Sequence, residues 1–331
     1  MLPGGFKIAA DSGSTVQEGV VVEDKDGNQF VWIPVSNINA DGSNKIKKDD
    51  GSEVEITLGR YTFATTTPGT PTLVQKGSEY AEVTAVNVAD GTVNKNYKIE
   101  SYYYELSDKN RLSNEKTDET GTNTTAKDLE AFINKTNENK GFYIARYEAS
   151  YGSGYNANGT TTTAKYESAI PLSKVSTSMK TGSMSYTSGA LWNFITQPAA
   201  AMVSKNMYSG NSYVESDLVN SYAWDTAIVY IQAMGNTNYA NANRATNGNT
   251  TLKNTGKTGD KVCNIFDMAG NTLEWNTEYN TYLNIDRDAA YPCTGRGGGY
   301  YDSKRYTRTR VCTDATGNSY NRSFRTLFYV K

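Results

Sequence analysis

RGGGYYDSKRYTRTRVCTDATGNSYNRSFRTLFYVK, Arg296 to Lys331, closes the chain, and the fold turns on how its ends and its middle are read. The ends read as framework. RGG permits tight backbone bends, and RTLFYVK carries one of the two cleanest strand patterns in the sequence, the other being QFVWIPV at Gln29–Val35. The middle is dense in Tyr, Arg, Ser, Thr and Asn, the residues that antibody loops use for contact area and adaptable hydrogen bonding. From Arg296 to Arg325 the basic residues Arg296, Lys304, Arg305, Arg308, Arg310, Arg322 and Arg325 face only Asp302 and Asp314. Basic and aromatic residues interleaved suit either single-stranded nucleic acid or a protein partner; the Tyr/Ser/Gly/Asn/Arg mixture favours protein. No GK[ST] follows the glycines, so RGGG is not a phosphate cradle.

Composition narrows the chemistry. A length of 331 residues gives ample chain for a core. Tyr occurs 25 times against 9 Phe and 4 Trp, which combines buriable ring area with a water-compatible surface. A net charge of −2 gives nothing global to attract nucleic acid or an anionic membrane. His is absent, which removes the usual general base, the commonest transition-metal ligand and any Ser/His/Asp or Cys/His nucleophile. Cys263, Cys293 and Cys312 form no CxxC pair, so zinc is not expected. Cys263 and Cys293 are compatible with a disulfide or with two buried thiols. No apolar run approaches the ~20 residues of a spanning helix, and no signal-peptide pattern opens the chain. Leu2-Pro3-Gly4 reads like a linker from a preceding attachment domain.

Along the chain, GVVVED and QFVWIPV predict a hairpin around Asp26-Gly27-Asn28, with Pro34 at a strand edge or end. Residues 37–140 read as an insertion in which short β-like runs (EVEITLGRYTF, AEVTAVNV, NYKIESYYYEL) alternate with polar loops, followed by a helix carrying Leu129, Phe132 and Ile133. GFYIARYEASYG predicts a strand. Two further helices are expected, one over Gly189–Tyr208 with Ser188 as its cap, the other over DLVNSYAWDTAIVYIQAM. The result is an α+β chain with few helices, short strands and much loop.

By itself FDMAGNTLEW (Phe266–Trp275) reads as a turn with an aromatic anchor. Asp267 and Glu274 with intervening carbonyls also suit an oxygen-ligated cation, at a spacing unlike an EF-hand.

In order, FVWIPV, GFYIARYEAS, FDMAGNTLEW, and RGG followed by SFRTLFYV resemble the formylglycine-generating-enzyme type of C-type-lectin fold. The helix DLVNSYAWDTAIVYI stands where that family has its LPTEAEWE helix. The resemblance covers most of Gly19–Val35 and Gly141–Lys331 in one C-type-lectin-like domain spanning 1–331. It implies neighbouring terminal strands and a structural calcium held by the side chains of Asp267 and Glu274 and the carbonyls of Gly270 and Thr272. It does not imply catalysis here. The oxidases bind copper through two cysteines whose positions fall at Asp302 and Thr307, poor ligands for soft Cu(I), and the related iron enzymes need histidines.

The tract also resembles the variable proteins of diversity-generating retroelements of phages and prophages, in which the segment before the closing F-R strand is rewritten by adenine-directed mutagenesis. That resemblance implies a 296–325 ligand-binding region displaying Tyr300, Tyr301, Asp302, Ser303, Arg305, Tyr306, Arg308, Cys312, Asp314, Ser319, Tyr320, Asn321 and Arg322. Arg296, Gly297, Gly298, Phe324 and Arg325 would be scaffold. The expected partner is a host-surface receptor, protein or glycan, with phage tail proteins at the other end; the expected place is the virion tail or a cell surface. An atypical oxidase and a lectin or adhesion module are the alternatives.

Overall fold

The computed structural model describes residues 2–36, 45–64, 71–73, 103–105, 127–245, 248, 250–280, 283–284, 289–290, 293–313 and 317–331. The expected strand AEVTAVNV, most of the polar loop from 106 to 128, Asp314 and the side chain of Cys312 lie outside the described residues.

Among the described residues, the strands of three residues or more are, in chain order, β1 (Phe6–Ile8), β2 (Val21–Asp24), β3 (Gln29–Pro34), β4 (Tyr103–Glu105), β5 (Gly141–Ala145), β6 (Ser150–Ser153), β7 (Ile170–Leu172) and β8 (Val214–Leu218). They continue with β9 (Leu273–Asn280), β10 (Cys293–Arg296), β11 (Arg310–Thr313), β12 (Arg322–Phe324) and β13 (Thr326–Val330). Among the described residues the α-helices are α1 (Leu129–Asn139), α2 (Thr162–Tyr166), α3 (Gln197–Asn206) and α4 (Ser221–Ala233). Few helices among short strands and long irregular stretches make the fold α+β, as the sequence predicts.

The first sheet runs β1-β2-β3-β5-β13-β8, antiparallel throughout. The β2–β3 hairpin forms because Gly27 takes φ +80°, while the Asp24 carboxylate accepts from the amides of Asp26 and Asn28. Pro34 ends β3, where a missing N–H is tolerated. Gln29–Pro34 and Thr326–Val330 are not adjacent, in contrast to the neighbouring strands the resemblance implies. β5 separates them, with Ile144 opposite Val31 on one side and Leu327 on the other. All five residues of β5 are buried, and a strand buried on both faces belongs at a sheet centre.

The second sheet is organised on β9. β10 pairs antiparallel with it and β12 parallel, its far end takes β4, and β11 extends the sheet beyond β10. Part of the 37–140 segment is therefore sheet, and Ile56, Leu58 and Tyr61 from the same segment join Leu129 and Phe132 in the main core.

α1 is the expected helix carrying Leu129, Phe132 and Ile133, capped by Asp128, which accepts from the Ala131 amide at 3.0 Å. The two later helices are shorter than the sequence pattern suggests. α3 begins at Gln197 rather than Gly189, capped by Thr196 and not Ser188, because Pro198 fits only a first turn. Asp217 and Leu218 belong to β8, paired with Leu327 and Thr326. Asn220 then caps α4, its Oδ1 accepting from Ala223 N at 2.8 Å. α4 is buried from Ser221 to Ile231 and packs against both β3 and β9. Cys263 and Cys293 are free thiols, which resolves the choice the sequence leaves open. Among the described residues no helix is long and apolar enough to cross a membrane.

Candidate ligand-binding surface

The tract leaves the core at Arg296, the last residue of β10, and returns at β12. Both ends are locked by buried charge. Arg325 Nε and Nη2 donate to the two Glu274 carboxylate oxygens at 2.8 and 2.6 Å. Its Nη1 reaches the Ala145 carbonyl at 2.8 Å and Nη2 the Phe266 carbonyl at 2.7 Å. One guanidinium thus ties the first sheet to the second. Arg296 pairs with Asp225 of α4 and Glu278 of β9, where Arg60 and Arg310 also bind. Burial alone would raise both carboxyls. The guanidinium groups of Arg296 and Arg310 outweigh it at Asp225, and those of Arg310, Arg60 and Arg296 outweigh it at Glu278, so both acids are held below their ordinary values.

Gly297 turns the chain at φ +74°. A Cβ there would stand 2.7 Å from the Met268 carbonyl, so no other residue fits without displacement. Beyond it the tract is fastened through its own backbone. Tyr300 N donates to Asn271 O at 2.9 Å, and Arg244 Nη1 donates to Tyr300 O at 2.7 Å. Asn243 Nδ2 donates to Ser303 O at 2.5 Å, and Trp224 Nε1 to Thr307 O at 3.0 Å. Thr307 N and Arg308 N donate to the carbonyls of Ala242 and Ala240. The returning limb is held alike: Phe194 N donates to Ser319 O at 3.0 Å and Leu273 N to Asn321 O at 2.9 Å, while Asn193 Nδ2 donates to Tyr320 O at 3.0 Å.

Most side chains of this scaffolded loop face outward. Ser303, Lys304 and Tyr320 are exposed; Tyr300, Tyr301, Asp302, Arg305, Tyr306, Arg308, Ser319, Asn321 and Arg322 are half-buried. Their contacts are largely with one another. Arg305 pairs with Asp302 at 3.0 Å and donates to the Tyr301 hydroxyl at 2.7 Å. Arg308 lies over Tyr306 at 4.5 Å, and Arg322 over the Trp275 indole at 5.2 Å. Of the seven basic residues counted in sequence, Arg296, Arg310 and Arg325 are consumed inside by acids outside the tract, so the surface carries less positive charge than the sequence suggests.

The two carboxylates of the expected calcium set, Asp267 and Glu274, are already engaged by donors of the protein itself. Glu274 is chelated by Arg325, a cation already in place. Asp267 is buried, with φ +69°, and accepts from Thr255 Oγ1 and Gly256 N, each at 2.7 Å, and from Thr258 Oγ1 at 2.5 Å. Those three donors engage both Asp267 oxygens, which a hard cation would have to take over. Next to Gly270, the Asn271 side chain and the Thr272 amide and hydroxyl turn toward Glu148, donating to its carboxylate at 2.5, 2.9 and 2.6 Å. Glu148 sits far above the ordinary carboxylate range because it is buried beside Asp267 and Glu274. Burial, with Asp267 nearby, pushes Asp260 up to about 7, its Oδ2 accepting from Ala269 N at 2.7 Å and from Tyr239 Oη at 2.9 Å. The GNTLEW segment is thus held by an internal acid cluster.

Sequence reasoning missed Glu148, Asp225, Glu278 and Arg60. A Glu inside the apolar strand pattern GFYIARYEAS is the one local signal that pointed to any of them.

No family model and no curated protein matches this chain. Among solved structures it is similar to one titled "Crystal Structure of CarF", with 13% identity and a TM-score of 0.38 over 58% of this chain and 87% of that one. It is also similar to Treponema denticola variable protein 1, with 13% identity and a TM-score of 0.28 over 56% of this chain and 95% of that one. Likenesses at these scores carry no weight by themselves, and the functional reading rests on the geometry above.

Proposed function

We propose that this chain is a non-enzymatic, diversified ligand-binding protein of the retroelement variable-protein kind, with a C-type-lectin-like scaffold. In this reading it is displayed on a phage tail or at a cell surface and engages a host-surface receptor through residues 299–322. The observation that carries it is a division of labour within the tract. Most of the bonds that fix the loop use its backbone N–H and C=O groups, with one more from the Thr307 hydroxyl, whereas the side chains of half-buried Tyr300 and of exposed Ser303, Lys304 and Tyr320 supply none of them. Such a surface changes its chemistry without changing its shape. Catalysis has no part in it: at the two positions where the oxidases bind copper, Asp302 is ion-paired with Arg305, and Thr307 is buried with its hydroxyl bonded to the Ala242 carbonyl.

Sibling copies of the gene test the proposal. Variation confined to 299–322, with Arg296, Phe324 and Arg325 constant and a template repeat and reverse transcriptase nearby, is the expected result. Changes spread evenly along the chain, or a locus lacking both elements, would sink it.

A further inference from the structure

Outside the tract, Phe194 holds a left-handed backbone at φ +55°. That conformation costs a bulky L-residue about 1–2 kcal/mol, and such outliers persist where the surroundings impose them. The backbone requirement is plain: Phe194 N donates to Ser319 O at 3.0 Å and so pins the returning limb of the tract. Gly or Asn would meet it with less strain. The phenyl ring is therefore unexplained by the backbone, and it is not core either, being only half-buried.

The ring does have a neighbourhood. It lies 6.3 Å from Tyr320, which lies 6.3 Å from Tyr300, which lies 5.7 Å from Tyr301. The Arg305 guanidinium closes the series, 5.7 Å from the Tyr301 ring. Three of these four rings belong to the tract and one to the scaffold. We infer that Phe194 is a fixed ligand-contact residue, the scaffold's own contribution to an aromatic row that seats an acidic, apolar-centred segment of a partner protein. This rests on the binding reading above and adds to it a residue and a ligand class.

Two observations select that class. The rings meet at interplanar angles of 54°, 44° and 82°. They offer clefts between tilted rings and not the flat platforms in series on which nucleic-acid bases stack. The steps along the row are also close to the roughly 6.6 Å between alternate side chains of an extended peptide. The charge beside the row is positive: Arg305 and Arg322 both act on Tyr301, against Asp302, which Arg305 already engages at 3.0 Å. A carboxylate-bearing segment complements that rim.

The test selects random 12-residue displayed peptides on the intact protein, then measures Kd of the winners for wild type, Phe194→Asn, Phe194→Gly and the double variant Tyr300→Ala/Tyr320→Ala. Expected are winners rich in Asp or Glu beside apolar residues, and a loss of tenfold or more for both Phe194 variants. Both variants should keep Tm within about 4 °C, since each relieves backbone strain. Wild-type affinity in the Phe194 variants, with loss only in the tyrosine variant, overturns this inference and leaves the binding reading standing. Wild-type affinity in all the variants overturns both. A larger fall in Tm for both Phe194 variants makes the ring structural and also overturns the inference. Failure to select any peptide, winners without acidic residues, or binding of an oligonucleotide or sulfated glycan in place of peptides, overturns the ligand class.

Discussion

At Arg325 every donor direction of one guanidinium that the structure uses is aimed at framework: two carboxylate oxygens of Glu274 and the carbonyls of Ala145 and Phe266. Lys has one ammonium and no fork, so it cannot satisfy this set. Arg325→Lys is expected to lower stability by about 3–5 kcal/mol, the range for breaking a buried pair, read as a shift in the urea midpoint at unchanged m. The sequence made Arg325 legible as scaffold because a closing F-R is a recognisable ending. It made Glu274 legible as important but did not point to its partner Arg325, since a carboxylate's partner is not written next to it. Arg60, Asp225, Glu278 and Arg310 were illegible for the same reason. Each resembles an ordinary surface charge until the fold brings them together. Phe194 was hidden differently, because backbone strain is a property of position and not of residue type.

On the scale of elements, the loop from Gly297 to Arg308 behaves as a backbone ribbon clipped to α4 and the 239–244 segment, with side chains as attachments. Replacing Tyr300, Ser303, Lys304 and Tyr320 together by Ala should therefore shift stability by only about 1 kcal/mol, while abolishing binding of any peptide selected on the wild type. A thermal melt and a binding isotherm on the same sample separate the two effects. Replacing Trp224, whose indole N–H donates to the Thr307 carbonyl, should do the reverse to the melt, because it removes a fully buried ring at roughly 3–5 kcal/mol. Helix existence was readable from apolar spacing; helix starts were not. Thr196 and Asn220 outcompete earlier candidates because Pro198 restricts one start and because β13 claims Asp217 and Leu218 for the sheet. Sheet neighbours were misread likewise: nothing local in GFYIA says that it lies between QFVWIP and TLFYV.

For the molecule as a whole, the two buried charge clusters respond oppositely to pH. Asp260, raised to about 7 when folded, contributes stability that is fully present below its unfolded value near 4 and lost as pH rises through about 7. Glu148, Asp267 and Glu274 are displaced the same way. Asp225 and Glu278 are depressed, so the stability they contribute is lost at the acid end, as pH falls through their folded values. Stability should peak at mildly acidic pH. Asp260→Asn should flatten the fall between about pH 4 and 7, which is worth up to about 4 kcal/mol for a shift of this size; urea titrations across that range decide it. A second expectation concerns the cation. With Arg325 seated on Glu274 and three donors on Asp267, melts in millimolar calcium and in EGTA should coincide. A calcium-dependent rise in Tm would reopen the site.

The pairing of β9 has a further consequence, for evolution by length. β10 lies on one side of β9 and β12 on the other, so the excursion between them begins and ends on the same strand, each end secured by its own ladder. Extra residues near the exposed Asn318 would enlarge the excursion without disturbing either ladder, and loop closure charges only about 0.6 kcal/mol per doubling. A Gly-Ser insertion there that leaves the melt unchanged would mean that this surface is free to grow as well as to mutate.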